Sequence, residues 1–241
     1  MKVTAVGTMC SWTIELSTSF IINDEIIFDT PQGSFKTIYN NYDLSNIKFI
    51  IISHFHSDHF MDIHLILEIL RKTEQKITII SPKGCKERLF TMFKIVEVSY
   101  LEDYVNNFVT FIECENGKTI NLSPYKIKIY KMEHKNLDAY GFVIENDGVK
   151  VGFSGDSCAC NSLIKILRKS DVAFIDCASL EQNNKHLSID EFLKLKEEYK
   201  NVKLYPIHLT HKVKNILEEK TELINQGQTL NIIKDDKIVI N

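Results

Sequence analysis

A layered α/β domain is the expected fold of this 241-residue chain. Strand-like and helix-like segments alternate through both halves. Residues 47–53 form a short, continuous apolar run, as in a strand buried on both faces. Late in the chain, Ser188-Ile189-Asp190-Glu191 is a capping box followed by apolar residues at helical spacing. The two halves look like a degenerate duplication, and no short period argues for a solenoid. The whole chain, residues 1–241, reads as one domain: four prolines, nine glycines and no low-complexity stretch leave no linker.

Taken in order, residues 2–7, 19–23 and 25–29 are strands, and Asn23-Asp24 is the tight turn of a hairpin between the second and third. Residues 34–42 are a short helix. The run 47–53 is a buried strand. Ile63, Ile66, Leu67 and Leu70 then recur at helical spacing. Residues 76–81 are a strand and 86–95 a helix. In the second half, strands are expected at 126–132, 141–145, 149–154, 172–176 and 203–206, and helices at 161–169 and 188–199.

Composition narrows the function classes. A 44% hydrophobic fraction argues against disorder. A net charge of −3 and only three arginines (Arg71, Arg88, Arg168) argue against an extended nucleic-acid footprint and against many bidentate phosphate clamps. The first residues lack the apolar stretch of a signal peptide, and the strongest apolar run is far too short to span a bilayer. A cytoplasmic protein follows, with the six cysteines expected as free thiols.

The informative segment is Ser53-His54-Phe55-His56-Ser57-Asp58-His59, placed directly after the buried strand. Residues two apart in an extended segment face the same way, so His54 and His56 can hold one metal together. As the chain turns into the helix, Asp58 and His59 can point at a second. Imidazole and carboxylate suit Zn²⁺ first, with Mn²⁺ or Fe²⁺ as alternatives. Burying three histidines and an aspartate is costly unless something coordinates them. One segment cannot close two sites, and three distant residues are candidates at expected strand ends: His134, Asp156 (after Gly155, which permits a sharp turn) and His208. An α/β sheet brings such strand ends to one edge.

On these residues the chain resembles the metallo-β-lactamase superfamily, whose signature is His-x-His-x-Asp-His followed by His, Asp and His at later strand ends. The resemblance covers essentially the whole chain. It implies a metallo-β-lactamase αβ/βα four-layer sandwich with two divalent metal ions. Transferred residue by residue, His54, His56 and His134 hold one ion and Asp58, His59 and His208 the other. Asp156 bridges them, with a hydroxide between the ions as nucleophile. Asp29 matches the family's early aspartate, which supports the site from behind the ligands. Where many members carry glycine, this chain has Asp62, expected to be a local difference at a helix start.

Such a site can attack a carbonyl or a phosphodiester. His186, in His186-Leu187-Ser188, resembles the His-x-Ser/Thr motif of the ribonuclease Z-like phosphodiesterase branch. There the histidine contacts the scissile phosphate and helps the alkoxide leave, so Asp58 and His186 are the candidate catalytic residues. The segments 135–142 and 153–157 resemble the same branch. In ribonuclease Z an acidic residue orients this histidine; here Asp176 or Cys177 is in place for that, and a plain core strand is equally compatible. His64 reads as part of a solvated helical face with Glu68 and Arg71, and His211 as an ordinary loop residue.

Ribonuclease Z enzymes that process tRNA carry a long basic arm between the third histidine and the bridging aspartate. Here that interval is 22 positions, filled by one hairpin at Asn146-Asp147-Gly148. The compact, arm-less chain resembles cyclic-nucleotide phosphodiesterases such as the anti-Pycsar enzymes. The expected activity is therefore hydrolysis of a small cyclic nucleotide to a linear monophosphate, with long RNA a weaker candidate. Alternatives are a ribonuclease Z-like RNA 3′-end endonuclease, a thioester, lactone or β-lactam hydrolase, or a non-catalytic metal-binding protein. The family also implies a homodimer. Phe90, Met92, Phe93 and Ile95, with residues 100–111, are apolar enough to meet a second copy, and core packing explains them equally well.

Overall fold

In the computed structural model, which describes residues 1–234 and 237–240, the alternating segments close into two sheets. The first half runs β1 (Lys2–Gly7), β2 (Ser19–Ile22), β3 (Ile26–Phe28), α1 (Ser34–Asn41), β4 (Phe49–Ile51), α2 (Ser57–Phe60), α3 (Ile63–Arg71), β5 (Ile77–Ser81), α4 (Cys85–Ile95), α5 (Leu101–Phe108) and β6 (Val109–Glu113). The second runs β7 (Thr119–Leu122), β8 (Tyr125–Lys131), β9 (Tyr140–Asn146), β10 (Val149–Phe153), α6 (Asn161–Leu167), β11 (Val172–Asp176), α7 (Ile189–Glu198), β12 (Lys203–Ile207), α8 (His211–Leu217), β13 (Thr229–Ile233) and β14 (Lys237–Ile240).

The strand order is β14-β13-β1-β2-β3-β4-β5-β6 in one sheet and β12-β11-β10-β9-β8-β7 in the other. Each half opens with antiparallel hairpins and ends in parallel crossovers: β1-β2-β3 then β4-β5-β6, and β7-β8-β9-β10 then β11-β12. That repetition matches the duplication read from the sequence. The exception is the C-terminal β13–β14 pair, which returns to the first sheet beside β1 with Lys2 opposite Asn231.

Strand alternation builds the layers. On β2, β3 and β4, residues Phe20, Ile22, Ile26, Phe28, Phe49 and Ile51 face the second sheet. Their neighbours Ile21, Ile27 and Ile50 face Ile38 of α1, Ile63 and Leu67 of α3, Leu89 of α4 and Val105 of α5. The second sheet is covered on its outer side by α6, α7 and α8 through Ile166, Phe192 and Val213. The result is the αβ/βα four-layer sandwich. Between the sheets Phe28, Phe153, Phe174 and Tyr205 stack in series at centroid distances of 4.6, 5.2 and 5.6 Å. Each such ring contributes about 1.5–3 kcal/mol by burial.

The local signals hold where they were strong. Asn23 and Asp24 take φ of 51° and 59° in a tight turn closed by Glu25 N donating to Ile22 O at 3.0 Å, and Ile22 pairs with Ile26 across three residues, whereas the β9–β10 hairpin pairs Asn146 with Val149 across Asp147 and Gly148 alone. The capping box at Ser188 and Glu191 is formed in full. The strand expected over 47–53 is shorter as a ladder, because its end leaves the first sheet. Ile52 N still donates to Ile80 O, but Ser53 O accepts from Tyr140 N at the start of β9. That bond ties the two sheets together at the edge where the histidines lie. Met92, Phe93, Leu101 and Val105 are buried against the first sheet, so most of the apolar surface considered for a second copy is core. All six cysteines are free thiols. No helix among the described residues is long and apolar enough to cross a membrane.

Candidate active site

β8 and β10 run in the same direction, and β11 and β12 run parallel to β10. The loops at their ends therefore open on one edge, with the segment after β4. His134 and Asp156 each sit three residues past the strand that carries them rather than at its last residue, and His208 directly follows β12. Two backbone features aim these side chains. Gly155 has φ of 58°, and a Cβ there would meet Tyr140 O at 2.9 Å, so only glycine allows the turn into Asp156. His208 itself adopts φ of 60°, a conformation most side chains avoid and one typical of functional sites.

All seven candidate ligands converge. His54, His56, His134 and Asp156 offer atoms within 4.8 Å of one another, and so do Asp58, His59 and His208. Asp156 lies between the groups. Its Oδ2 is 3.8 Å from His54 Nε2, 3.9 Å from His134 Nε2 and 3.4 Å from His208 Nε2, while its Oδ1 is 3.3 Å from His59 Nε2. Asp58 Oδ2 is 3.2 Å from His208 Nε2. His56 is exposed and the others are buried, so the site opens to solvent on the His56 side.

The outward ring nitrogens of three of these histidines are tied down. His59 Nδ1 donates to Asp29 Oδ2 at 2.7 Å, and His134 Nδ1 donates to Lys185 O at 2.8 Å. Ser53 Oγ donates to Asp29 Oδ2 at 2.7 Å, so His54 Nδ1, 3.1 Å away, donates to that hydroxyl. Asp29 also accepts from Ser53 N at 2.7 Å. Ser53 was visible at the head of the motif, yet its relay role needs the fold, because Asp29 comes from a different strand. With Nδ1 occupied, the inward Nε2 atoms of His54, His59 and His134 are buried without a hydrogen-bond partner. Buried polar atoms left bare are costly. Converging imidazoles and carboxylates with held outer nitrogens suit a divalent cation.

The electrostatics point the same way. Burial would raise the Asp156 carboxyl, but His208 and His59 outweigh it and hold it well below the usual carboxylate range. Asp58 is lowered against its own burial by the His208 hydrogen bond and by His59. Burial would discharge His59, yet Asp156 and Asp29 raise it to about 10. His208 is raised well above its ordinary value, again by Asp156 and its other carboxylate partners against burial. Burial, then the charge of His59, keeps His54 well below its ordinary value. Protons on His59 and His208 thus balance the carboxylates, a charge that a cation can replace.

His186 stands beside this cluster, its ring centroid 5.0 Å from His134 and 5.1 Å from His208. Its Nδ1 is 2.8 Å from Asp176 Oδ2. Asp176 is therefore the orienting group, and Cys177 is buried in the outer core of the second sheet. The same carboxylate accepts from Ser157 N and Ala178 N at 2.9 and 3.0 Å. Burial would lower the His186 pKa, but the Asp176 hydrogen bond and charge raise it. His64 bonds only the Met61 carbonyl, and His211 opens α8 beside Glu15 at 3.3 Å. Asp62 does more than start a helix: its Oδ2 accepts from Phe35 N at 2.9 Å, so it caps α1 rather than its own helix α3.

A model of the β-lactamase superfamily domain matches residues 27–209. A ribonuclease Z of Saccharolobus islandicus is 22% identical over 206 residues, covering 68% of this chain and 71% of that protein. The fold is shared with the metallo-β-lactamase fold protein YhfI of Bacillus subtilis (TM-score 0.77, 17% identity, 95% of this chain and 98% of the other). It is shared as well with the short form of human tRNase Z (TM-score 0.76, 15% identity, 97% and 100%). At these identities the two structures speak for the fold.

Proposed function

The chain belongs to the metallo-β-lactamase superfamily, in its ribonuclease Z-like branch, and is a metal-dependent hydrolase; from that premise we propose that it is a phosphodiesterase acting on small cyclic nucleotides, which it opens to linear monophosphates. The observation that carries this reading is the Asp176–His186 pair, 2.8 Å apart and beside the cluster of candidate ligands. A thioester hydrolase has less need of it, since a thiolate leaves unaided whereas an alkoxide leaving a phosphodiester departs poorly without a proton.

In this reading His54, His56 and His134 hold one divalent ion, Asp58, His59 and His208 a second, and Asp156 both; zinc suits the donors best, with manganese or iron as alternatives. When bound, the ions supply an activated water and neutralise charge on the phosphoryl oxygens. The chain's own groups do the rest. Asp29 and Ser53 hold His59 and His54 in the tautomer that presents Nε2 inward. His186, whose pKa Asp176 raises, gives its proton to the leaving oxygen as the P–O bond breaks, while the water oxygen joins phosphorus and the proton the water loses passes to solvent. His186 is 22% exposed at its side chain, so solvent can return the proton.

The short β9–β10 hairpin, with no basic arm between His134 and Asp156, favours a small substrate over a folded RNA. A second reading, RNA 3′-end cleavage, is favoured by the ribonuclease Z relatives. Metal-loaded protein assayed on 3′,5′-cyclic mononucleotides and on a tRNA precursor separates the two. Turnover of the cyclic nucleotides is expected, and cleavage of the precursor alone overturns the choice. The same proposal takes residues 1–241 as one domain acting as a cytoplasmic homodimer, which light scattering of the purified chain checks for the oligomer.

A further inference from the structure

Beside the ligand cluster lies a second feature that the chemistry above does not use. Trp12, the single tryptophan of the chain, is 87% exposed. An exposed indole offers a large, flat, rigid face to a ligand or partner. It does not sit on a loose loop. Cys10 N donates to Leu209 O at 3.0 Å, Leu209 N donates to Thr8 O at 3.1 Å, and Met9 N donates to Leu16 O at 3.1 Å. Thr13 Oγ1 donates to Cys10 O at 2.9 Å. The loop between β1 and β2 is thus pinned to the segment that carries His208, with Trp12 at its tip.

Trp12 stands at the edge of a shallow cavity, wide open to solvent, of about 560 Å³, with Ala178, Leu180 and Glu181 from the β11–α7 loop and Thr210 and His211 from the start of α8. That volume falls within the usual range of roughly 300–1,000 Å³ for small-molecule sites. Two of its walls are the loops that carry site residues. Ala178 N donates to Asp176 Oδ1, on the carboxylate that orients His186, and Thr210 is two residues past His208. A larger cavity of about 770 Å³ lies at the far ends of β11 and β12, around Val172 and Lys203, away from the histidines.

We propose that the Trp12 cavity receives the base of the substrate nucleotide, with the indole stacked on the base and Leu180 on the opposite side. A planar, largely apolar ring with polar edges suits an indole and a leucine flanked by Glu181 and His211. The proposal depends on the nucleotide phosphodiesterase reading for its substrate, and it adds the element that distinguishes a nucleotide from any other phosphodiester.

Two measurements test it. Because Trp12 is the only tryptophan, its emission reports the cavity directly, without turnover. Adenosine 5′-monophosphate is expected to quench it saturably, and ribose 5-phosphate, which lacks the base, is not. In steady-state assays, Trp12→Ala is expected to lower the preference for cyclic adenosine monophosphate over a base-free ribose cyclic phosphate by about 5- to 150-fold, the usual worth of one stacked base. The loss should appear mainly in KM, and Trp12→Phe should restore most of it. The proposal is overturned if adenosine monophosphate leaves the emission unchanged, or if Trp12→Ala keeps the wild-type preference. It is also overturned if the emission shifts to the blue with protein concentration alone, since a second copy of the chain then covers the indole. If no cyclic nucleotide is hydrolysed, the phosphodiesterase reading fails by itself, while quenching by the monophosphate still decides the cavity.

Discussion

Among the described residues two carboxylates accept a hydrogen bond from a histidine Nδ1, and the two pairs differ mainly in depth. Asp29 and His59 meet at 2.7 Å in the first half, and neither side chain touches solvent. Asp176 and His186 meet at 2.8 Å in the second half, where the imidazole reaches the rim. Asp29 is further saturated by Ser53 N and Oγ, and its histidine turns Nε2 inward toward Asp156. Asp176 is saturated by loop amides, and its histidine stands where solvent can exchange a proton. In the proposed function the same contact holds a ligand when buried and poises an acid when half-exposed. Burial, not the pairing, sets the difference.

Substitution of each aspartate separates the roles. Asp29→Asn leaves His59 without its full charge partner in a dry interior, and a broken buried pair costs about 3–5 kcal/mol. It should lower Tm clearly and weaken metal binding by about 10–100-fold, as read by thermal melts and by competition with a chelating dye. Asp176 also stands 3.7 Å from His208 Nδ1, so Asp176→Asn should weaken metal binding less than Asp29→Asn does, while kcat falls by about 10²–10⁴-fold, the usual worth of a positioned acid. If both variants lost metal equally, the division by depth would be wrong.

Next in size is the response to pH. His59 is raised above its ordinary 6.5 to about 10. A group raised in the folded state stabilises fully below its unfolded pKa, and that contribution is lost as pH rises through the folded value. Metal-free protein should therefore lose Tm between about pH 7 and pH 10. Metal-loaded protein should not, because the cation replaces the proton. Metal uptake at neutral pH should correspondingly release protons, measured by calorimetry in buffers of different ionisation enthalpy. Asp58 and Asp156, lowered in the folded state, act oppositely: their contribution is present above the ordinary carboxylate range and lost in acid.

The smallest effect should come from the far end of the sandwich. Glu25 accepts from Lys48 and from Tyr125 Oη, and the Lys48 hydrogen bond lowers its carboxyl. Because Lys48 is well exposed, Glu25→Gln should cost less than about 1 kcal/mol at neutral pH. The variant should also lose less stability than wild type as pH falls below 4.5.

The two halves also differ in what their sequence discloses. In the first, four of the candidate ligands lie within six consecutive residues, so the local pattern carries the site. In the second, His134, Asp156, His186 and His208 are isolated, and each becomes meaningful only when the sheet lines up their loops. Choosing Asp176 over Cys177 needed the strand's facing, since one points to His186 and the other into the core. Elements with strong local signals were legible: the Asn23-Asp24 hairpin, the Ser188 capping box, the apolar run into β4. Helix α5 and strand β6 were read together as one apolar stretch, because Tyr104, Val105, Val109 and Phe111 blur two periods into one. Strands β13 and β14 gave no signal, since their place beside β1 is set by pairing over more than two hundred residues.

In the proposed function His186 acts as an acid positioned by Asp176. The direct measurement is the rate of metal-loaded His186→Ala, with metal content confirmed, on two phosphodiesters that differ in leaving group. A cyclic nucleotide expels an alkoxide that needs a proton, whereas a p-nitrophenyl ester expels a phenolate that does not. The account predicts a loss of about 10²–10⁴-fold on the cyclic nucleotide and a small loss on the p-nitrophenyl ester. Equal losses on both would contradict it.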